Sequence, residues 1–192
     1  MKKTIVYLST FLVVLICSFS AQAQYSKGDL LINPGISFGG IGYDYGYYGS
    51  YSGLPGLSAN IEYNVTDNIA VGGYLGFISR SYKYQGSGIS SKTRWTNVGF
   101  GARGIFHATE VLNDAFSGSM NSEKLDIYGG LSLGYETYSW SGDNSTYYAN
   151  GGNVVFGGIL GCRYMFNPAI GVYGEVGRGA LGILTLGVSF KL

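Results

Sequence analysis

The C-terminal residues 184–192 alternate between apolar side chains and small or polar ones. The apolar parity consists of Leu184, Leu186, Val188, Phe190 and Leu192. The other parity holds small or polar residues and Lys191. A period of two is that of an extended strand, whose successive side chains point to opposite faces. One face of this strand therefore suits an apolar environment, and the other suits a polar one.

Seven further segments alternate in the same way, and each predicts a strand. They cover approximately residues 30–40, 57–65, 69–80, 96–106, 125–140, 154–166 and 170–176. The connections after the second and sixth strands are short, whereas those after the first, third and fifth are long. The connection after the third strand is predicted to be a polar loop from about residue 81 to residue 93. Pro34 predicts a bulge in the first strand, because proline cannot donate a ladder hydrogen bond.

Residues 107–124 break this alternation. From Glu110 through Val111 and Leu112 to Phe116 the apolar spacing becomes helical. Threonine is a favourable N-cap residue, so we expect Thr109 to cap a short helix. This segment is a long connection at the end of the strands where the other connections are short.

Eight charged residues lie within the predicted strands, and all of them have the parity opposite to the apolar one. They are Glu62, Arg80, Arg103, Asp126, Glu136, Arg163, Glu175 and Lys191. A charge facing lipid near the midplane of a bilayer costs about 2–4 kcal/mol, so a wall between lipid and a polar interior would show this segregation. Equal numbers of acids and bases predict ion pairs across that interior.

The composition disfavours helix through most of the chain, which has 33 glycines, 18 tyrosines and 3 prolines in 192 residues. A chain that crosses a membrane without apolar helices must close its strands into a barrel, since every backbone polar group needs a partner in lipid. We therefore predict an all-β fold, an eight-stranded antiparallel up-and-down transmembrane β-barrel formed by residues 24–192. The even strand number places both chain ends on the same side of the membrane.

The N-terminal residues predict export. Lys2 and Lys3 precede an apolar run over residues 5–16, and Ala21-Gln22-Ala23 has the small-x-small pattern of a cleavage site. An uncleaved membrane anchor is the alternative, but this run is shorter than the roughly 20 residues that a spanning helix needs. We predict a cleaved signal peptide over residues 1–23.

Charge and cysteine content exclude several functions. Cleavage of the signal peptide removes Lys2 and Lys3, and the number of basic residues that remain is almost equal to the 11 acidic ones. The sequence has no basic patch that would suggest a nucleic-acid partner. Cys162 is the one cysteine beyond the signal peptide, so an internal disulfide is impossible. Its parity places it on the lipid-facing side.

Candidate chemistry is sparse. Gly99, Gly101 and Gly104 spell G-x-G-x-x-G, but they lie inside an alternating strand and not before a helix, so we predict no cofactor. His107 is the only histidine, and we expect it to be a girdle or turn residue at the end of the fourth strand. No cluster of metal-ligating residues indicates a transition-metal site. We predict that the protein is not an enzyme.

Two features of the sequence leave alternative functions open. The inward charges form either a structural network that fills a narrow lumen or the gate of a small pore, since eight strands enclose just enough space for side chains. The loop after the first strand is either solvated and flexible or an aromatic contact surface for carbohydrate, lipopolysaccharide or a host protein. Its tyrosines are Tyr43, Tyr45, Tyr47, Tyr48 and Tyr51.

The segments NVTDNIAVGGYLGF and KLDIYGGLSLGYE and the ending LTLGVSFKL resemble the small bacterial outer-membrane β-barrel family. The membrane domain of outer membrane protein A and outer membrane protein X typify this family, and the resemblance covers nearly all of residues 25–192. It implies an integral protein of the Gram-negative outer membrane that contacts lipid and lipopolysaccharide and is inserted by the barrel-assembly machinery. The residues that match the family's insertion signal are Leu186, Val188, Phe190 and Leu192.

We expect a structural or surface-interaction role through the outer loops, with a surface ligand as the partner. The alternative is a small porin-like channel for ions or small solutes. Closure of the barrel removes the free strand edges that would otherwise demand a partner, so we expect a monomer.

Overall fold

A computed structural model describes residues 25–39, 50–53, 55–86, 89–116, 121–122, 124–143 and 149–192. The predicted signal peptide, residues 1–23, lies outside the described residues, as do Tyr43, Tyr45, Tyr47 and Tyr48. Tyr51 belongs to a described strand, but only its backbone is described.

The described residues form nine strands and one helix. In chain order they are β1 (Leu30–Phe38), β2 (Ser50–Gly53), β3 (Gly56–Asn64), β4 (Ile69–Gly86), β5 (Ile89–His107), α1 (Thr109–Phe116), β6 (Leu125–Gly142), β7 (Gly151–Met165), β8 (Ile170–Gly177) and β9 (Leu184–Lys191). In the described part of the chain, no helix has the length and apolar character needed to span a membrane.

Eight of the strands close into an antiparallel barrel. From β3 to β9 each strand pairs with the next, and β1 pairs with both β9 and β3. The predicted eight-stranded up-and-down barrel is therefore confirmed. The ninth strand, β2, is short and pairs with the far part of β4, where Gly53 lies opposite Arg80. Its register along β4 differs by one residue from that of β3.

The two ends of the barrel differ. At one end, called the helix end here, β1 begins, β9 ends and α1 follows β5. At the opposite end, called the hairpin end, β4 turns into β5 and β6 leads to β7. The helix predicted between the fourth and fifth barrel strands is confirmed, and it lies at the helix end.

The barrel has an apolar outer surface and a largely polar interior. The side chains of Phe156 and Leu160 point outward and are 68% and 67% exposed, whereas Glu62 and Arg163 are completely buried. This pattern is the reverse of that in a soluble protein and matches a lipid-facing wall. Cys162 is exposed on the outer surface, on the predicted side.

The interior is not polar throughout, which corrects the sequence-based expectation. Ala70, Ile105, Tyr128 and Ile159 form one buried apolar cluster. Ile78, Trp95 and Leu181 form a second. Inward positions therefore carry apolar as well as polar side chains.

The polar loop predicted from residue 81 to residue 93 is wrong. β4 and β5 pair continuously up to Gly86 opposite Ile89, and β6 likewise continues to Gly142. These extensions have water-compatible residues on both parities, so no apolar face marks them in the sequence.

The bulge predicted at Pro34 is also wrong. Ile32 pairs with Phe190 and Gly35 pairs with Gly187, so the register between β1 and β9 is the same on both sides of the proline. Pro34 pairs with Ala59 of β3, and ladder pairs at Pro34 are omitted only on the β9 side, since proline has no N–H to donate.

Candidate functional site

Five buried charged residues form a continuous network inside the barrel, called the charge network here. Arg163 Nη2 donates to Glu62 Oε2 over 2.8 Å, and Arg103 Nη2 lies 3.1 Å from Glu62 Oε1. Arg103 Nη2 also donates to Glu175 Oε1 over 2.6 Å, and Arg163 Nη1 donates to Asp126 Oδ2 over 3.4 Å. Each carboxylate in the network thus has at least one guanidinium partner.

The charge network crosses the full width of the barrel. Glu62 is on β3 and Arg163 is on β7, four strands away in a closed ring of eight. Tyr128 adds a hydroxyl that donates to Glu175 Oε1 over 2.9 Å. Burying charges is costly unless they are paired and hydrogen-bonded, so this connected set is the arrangement in which such side chains can fill a narrow lumen.

Tyr25 and His107 form the floor of the interior at the helix end. Their rings stack with centroids 4.6 Å apart, and His107 Nδ1 lies 3.0 Å from both carboxylate oxygens of Asp126. Arg163 Nη1 donates to the Tyr25 hydroxyl over 3.3 Å. Burial raises the pKa of the Tyr25 phenol, and the positive charge of Arg163 only partly opposes this shift. Tyr25 is therefore a neutral hydrogen-bonding group in this layer.

The interpretation of His107 as a girdle or turn residue is wrong, because its side chain is 4% exposed and points inward. It has the same parity on β5 as Arg103 and Ile105, both of which are inward. Extending the alternation from Ile105 by two residues would have placed the His107 side chain inside the barrel.

A second ion pair lies nearer the hairpin end. Glu136 accepts hydrogen bonds from Arg178 Nη2 over 3.0 and 3.1 Å. Arg178 begins the connection between β8 and β9, residues 178–183, which folds into the barrel. Gly177 precedes this connection with a φ of 117°, a backbone conformation that favours glycine.

Leu181 is a buried apolar side chain of this connection. It packs with Ile78 and Trp95, and a Cβ added at Gly76 would lie 2.9 Å from its Cγ. A Cβ added at Gly99 would lie 2.8 Å from its Cδ2. The absence of side chains at Gly76 and Gly99 therefore makes room for Leu181.

The remaining predicted interior charges lie outside the charge network. Lys191 pairs with Asp29 over 2.6 Å at the helix end, and its Nζ lies 5.6 Å from the centroid of the Tyr25 ring. Arg80 is buried in the hairpin-end half of β4. The structure thus brings together five of the eight predicted residues and places Glu136, Arg80 and Lys191 in separate layers.

The four residues of the predicted insertion signal lie on or just after β9, and all four are exposed on the outer surface. They are Leu186, Val188, Phe190 and Leu192. Their role in insertion stays a prediction.

A cavity of about 460 Å³ lies at the hairpin end, next to the Glu136–Arg178 pair. Its walls carry the aromatic rings of Tyr82, Trp95, Tyr138 and Trp140. On the β7 side it is lined by Asn153, Val154, Val155 and Phe156. The cavity is therefore lined by aromatic rings and has a partly buried ion pair at one wall.

The sequence analysis missed Tyr25, Asp29 and Arg178 because all three lie outside the strands, where alternation gives no signal. It also missed the cavity: most of the lining residues lie in predicted strands, but no pattern along the chain shows that their side chains surround a common space. Among the described residues no group of three or more histidines, cysteines and acids is able to hold a metal ion. That the chain is not an enzyme stays a prediction.

Solved structures include barrels with a fold similar to this one. The outer membrane protein OprG from Pseudomonas aeruginosa matches with a TM-score of 0.57 and 13% identity, over 90% of this chain and 99% of OprG. The fold is that of a small outer-membrane β-barrel. At 13% identity, the similarity to OprG shows the fold of this chain and not its activity.

Two other outer-membrane barrels match with lower TM-scores. Ail, the attachment invasion locus protein of Yersinia pestis, gives 0.47 at 14% identity, covering 86% of this chain and 95% of Ail. The N-terminal β-barrel domain of Pseudomonas aeruginosa OprF gives 0.41 at 12% identity, covering 87% and 98%. No protein-family model matches the sequence, and a search of curated proteins finds no match either.

Proposed function

We propose that this chain is an integral protein of the bacterial outer membrane and acts through its hairpin end as a surface-contact protein. The observation that carries this proposal is the unequal length of the strands. β4, β5 and β6 have 18, 19 and 18 residues, whereas β8 and β9 have 8 each. About 9–11 residues suffice to cross a bilayer, so the three long strands extend well beyond the membrane.

The projecting part of β4 and β5 carries an exposed basic pair. Lys83 lies directly opposite Lys92, and both side chains are exposed. Like charges at directly opposite positions destabilise a sheet. Arg94, two residues further along β5, is also exposed. Asp143 is the nearby acid, since its carboxylate accepts a hydrogen bond from the Lys92 backbone N–H.

This local excess of positive charge supports a partner of negative charge, and lipopolysaccharide is the anionic partner available at the outer surface. The tyrosine-rich loop remains a second predicted contact surface. The charge network, which fills the middle of the barrel, supports a contact role over the small-channel alternative.

The test compares two charge-matched double variants in lipid nanodiscs. Lys83→Gln/Lys92→Gln removes the basic pair at the hairpin end, and Lys27→Gln/Lys124→Gln removes two exposed lysines at the helix end. We expect the first variant to bind fluorescent lipopolysaccharide several-fold more weakly than wild type and with a smaller salt dependence. The second is expected to bind like wild type.

Equal loss of binding in both variants would show that net charge and not the projecting sheet attracts lipopolysaccharide. Unchanged binding in the first variant would remove the proposed contact surface. Neutral phosphatidylcholine vesicles serve as the uncharged comparison.

A further inference from the structure

The hairpin-end cavity combines apolar walls with an unsatisfied polar atom. Tyr82 and Trp140 have ring centroids 6.3 Å apart, and those of Trp95 and Trp140 are 6.5 Å apart. Among these rings Asn97 is 6% exposed, and its Oδ1 is buried without a hydrogen-bond partner among the described residues. A buried acceptor without a hydrogen bond destabilises the fold, and a bound molecule that donates a hydrogen bond to it would remove this destabilisation.

The charges at the cavity wall compensate each other. Glu136 receives hydrogen bonds from Nε and Nη2 of Arg178, so the pair offers no net charge to a ligand. A neutral molecule is therefore favoured over an ionised one, which would lose its hydration without gaining a counter-charge.

The cavity reaches the outer wall of the barrel through β7. Val154 and Phe156 line the cavity and are also 72% and 68% exposed. The pairing of β7 with β8 ends at Ile159 opposite Gly177, so residues 151–158 of β7 have no partner in β8. Apolar side chains thus form the rim of the cavity on this side, where a molecule with an apolar body would enter.

We infer that this cavity binds a small neutral amphiphile, with an aromatic or alkyl body between Trp95, Trp140 and Val155 and a hydroxyl or amide N–H that donates to Asn97 Oδ1. Its volume of about 460 Å³ is within the range of small-molecule sites. This inference is independent of the proposed contact with lipopolysaccharide, because the basic pair Lys83 and Lys92 does not line the cavity.

The chain has an internal reporter for this site. Its two tryptophans are Trp95 and Trp140, and both line the cavity. A brominated ligand that enters the cavity would quench their fluorescence on contact. We would titrate the full-length protein in phosphatidylcholine nanodiscs with 4-bromobenzyl alcohol and, in parallel, with 4-bromotoluene, which has the same body and no hydroxyl.

The expected result for wild type is saturable quenching, with the alcohol binding about five- to tenfold more tightly than bromotoluene, the ratio that one hydrogen bond supplies. Asn97→Leu should abolish this preference, because it removes the acceptor and preserves the size of the side chain. Asn153→Leu is the matched control, since Asn153 lines the same cavity but is solvent-exposed; it should keep the preference. Val155→Phe, which fills the cavity, should remove saturable quenching by both probes.

Linear quenching without saturation in wild type would mean partition into the bilayer and would overturn the inference. The same conclusion would follow if Asn97→Leu kept the preference for the alcohol, or if Val155→Phe bound both probes as wild type does.

Discussion

Arg163 joins several groups in the interior of the barrel. Its side chain is completely buried, and it contacts carboxylates on two different strands, Glu62 and Asp126. Its guanidinium carbon also lies 4.9 Å from the centroid of the Tyr128 ring. A guanidinium offers several donors in a fixed plane and stacks on aromatic faces, so lysine would not replace it.

The substitution Glu62→Gln tests the charge network. It removes the carboxylate shared by Arg103 and Arg163 and leaves two buried guanidinium groups with one acid each, Glu175 and Asp126. Loss of one partner from a buried ion pair costs about 3–5 kcal/mol, and we expect a decrease in unfolding free energy of that size. Urea unfolding of the barrel in phospholipid vesicles would measure it.

The control for this experiment is Asp114→Asn, which removes an exposed carboxylate from α1. It should change the unfolding free energy by no more than about 0.5 kcal/mol. If Glu62→Gln is as stable as this control, the charge network does not stabilise the interior.

α1 is attached to the barrel through its first residue. The hydroxyl Oγ1 of Thr109 accepts a hydrogen bond from the backbone N–H of Ile127 in β6 over 2.6 Å. The backbone N–H of Ala108 donates to the carbonyl of Ile127 over 2.7 Å, and the carbonyl of Ala108 accepts the N–H of Leu112. The predicted N-cap role of Thr109 is therefore wrong: Ala108 occupies the cap position, and the threonine hydroxyl joins the helix to the strand.

Thr109→Val is expected to loosen this attachment. It preserves the shape of the side chain but removes the acceptor, so the Ile127 amide loses a hydrogen bond worth about 1 kcal/mol. Hydrogen exchange measured by NMR in nanodiscs should show the Ile127 amide exchanging about fivefold faster. Thr109→Ser retains the hydroxyl and should exchange like wild type. Equal exchange in the valine and serine variants would contradict the proposed role of the hydroxyl.

The barrel strands were predictable because lipid imposes one apolar parity on each of them. Leu131 and Leu133 on β6, for example, are 58% and 56% exposed on the outer wall. The far parts of β4 and β5 were not predictable in this way, because they extend beyond the apolar zone and both of their faces tolerate polar residues. Backbone pairing between β4 and β5 holds these parts together, and such pairing produces no alternation of side chains in the sequence.

The sequence predicted the interior of the barrel only in part. Parity alone placed Glu62, Arg103 and Arg163 inside, but no pattern along the chain specifies which inward side chains meet across a barrel. The Glu62–Arg163 contact joins residues 101 positions apart. Tyr25, which precedes β1, and Leu181, in the connection between β8 and β9, enter the interior from outside the strands, where the sequence has no periodic signal.

Taken as a whole, the molecule is a barrel whose interior is occupied at three levels. Tyr25 and His107 cover the helix end, the charge network crosses the middle, and Leu181 fills space towards the hairpin end. An eight-stranded barrel has just enough interior width for its own side chains, so these layers leave little room for solute. The cavity opens at the hairpin end, beyond the charge network.

Conductance in planar bilayers tests the central claim, that this barrel acts at its surface and not as a conduit. The protein would be refolded in detergent, and a heat-modifiable gel shift would show that it is folded before insertion. The account predicts no discrete current from the wild-type protein, because the Glu62–Arg163 and Arg103–Glu175 pairs occupy the width of the lumen. Stable single-channel steps from the folded, inserted wild type, altered by Arg103→Ala, would contradict it and establish the small-channel alternative.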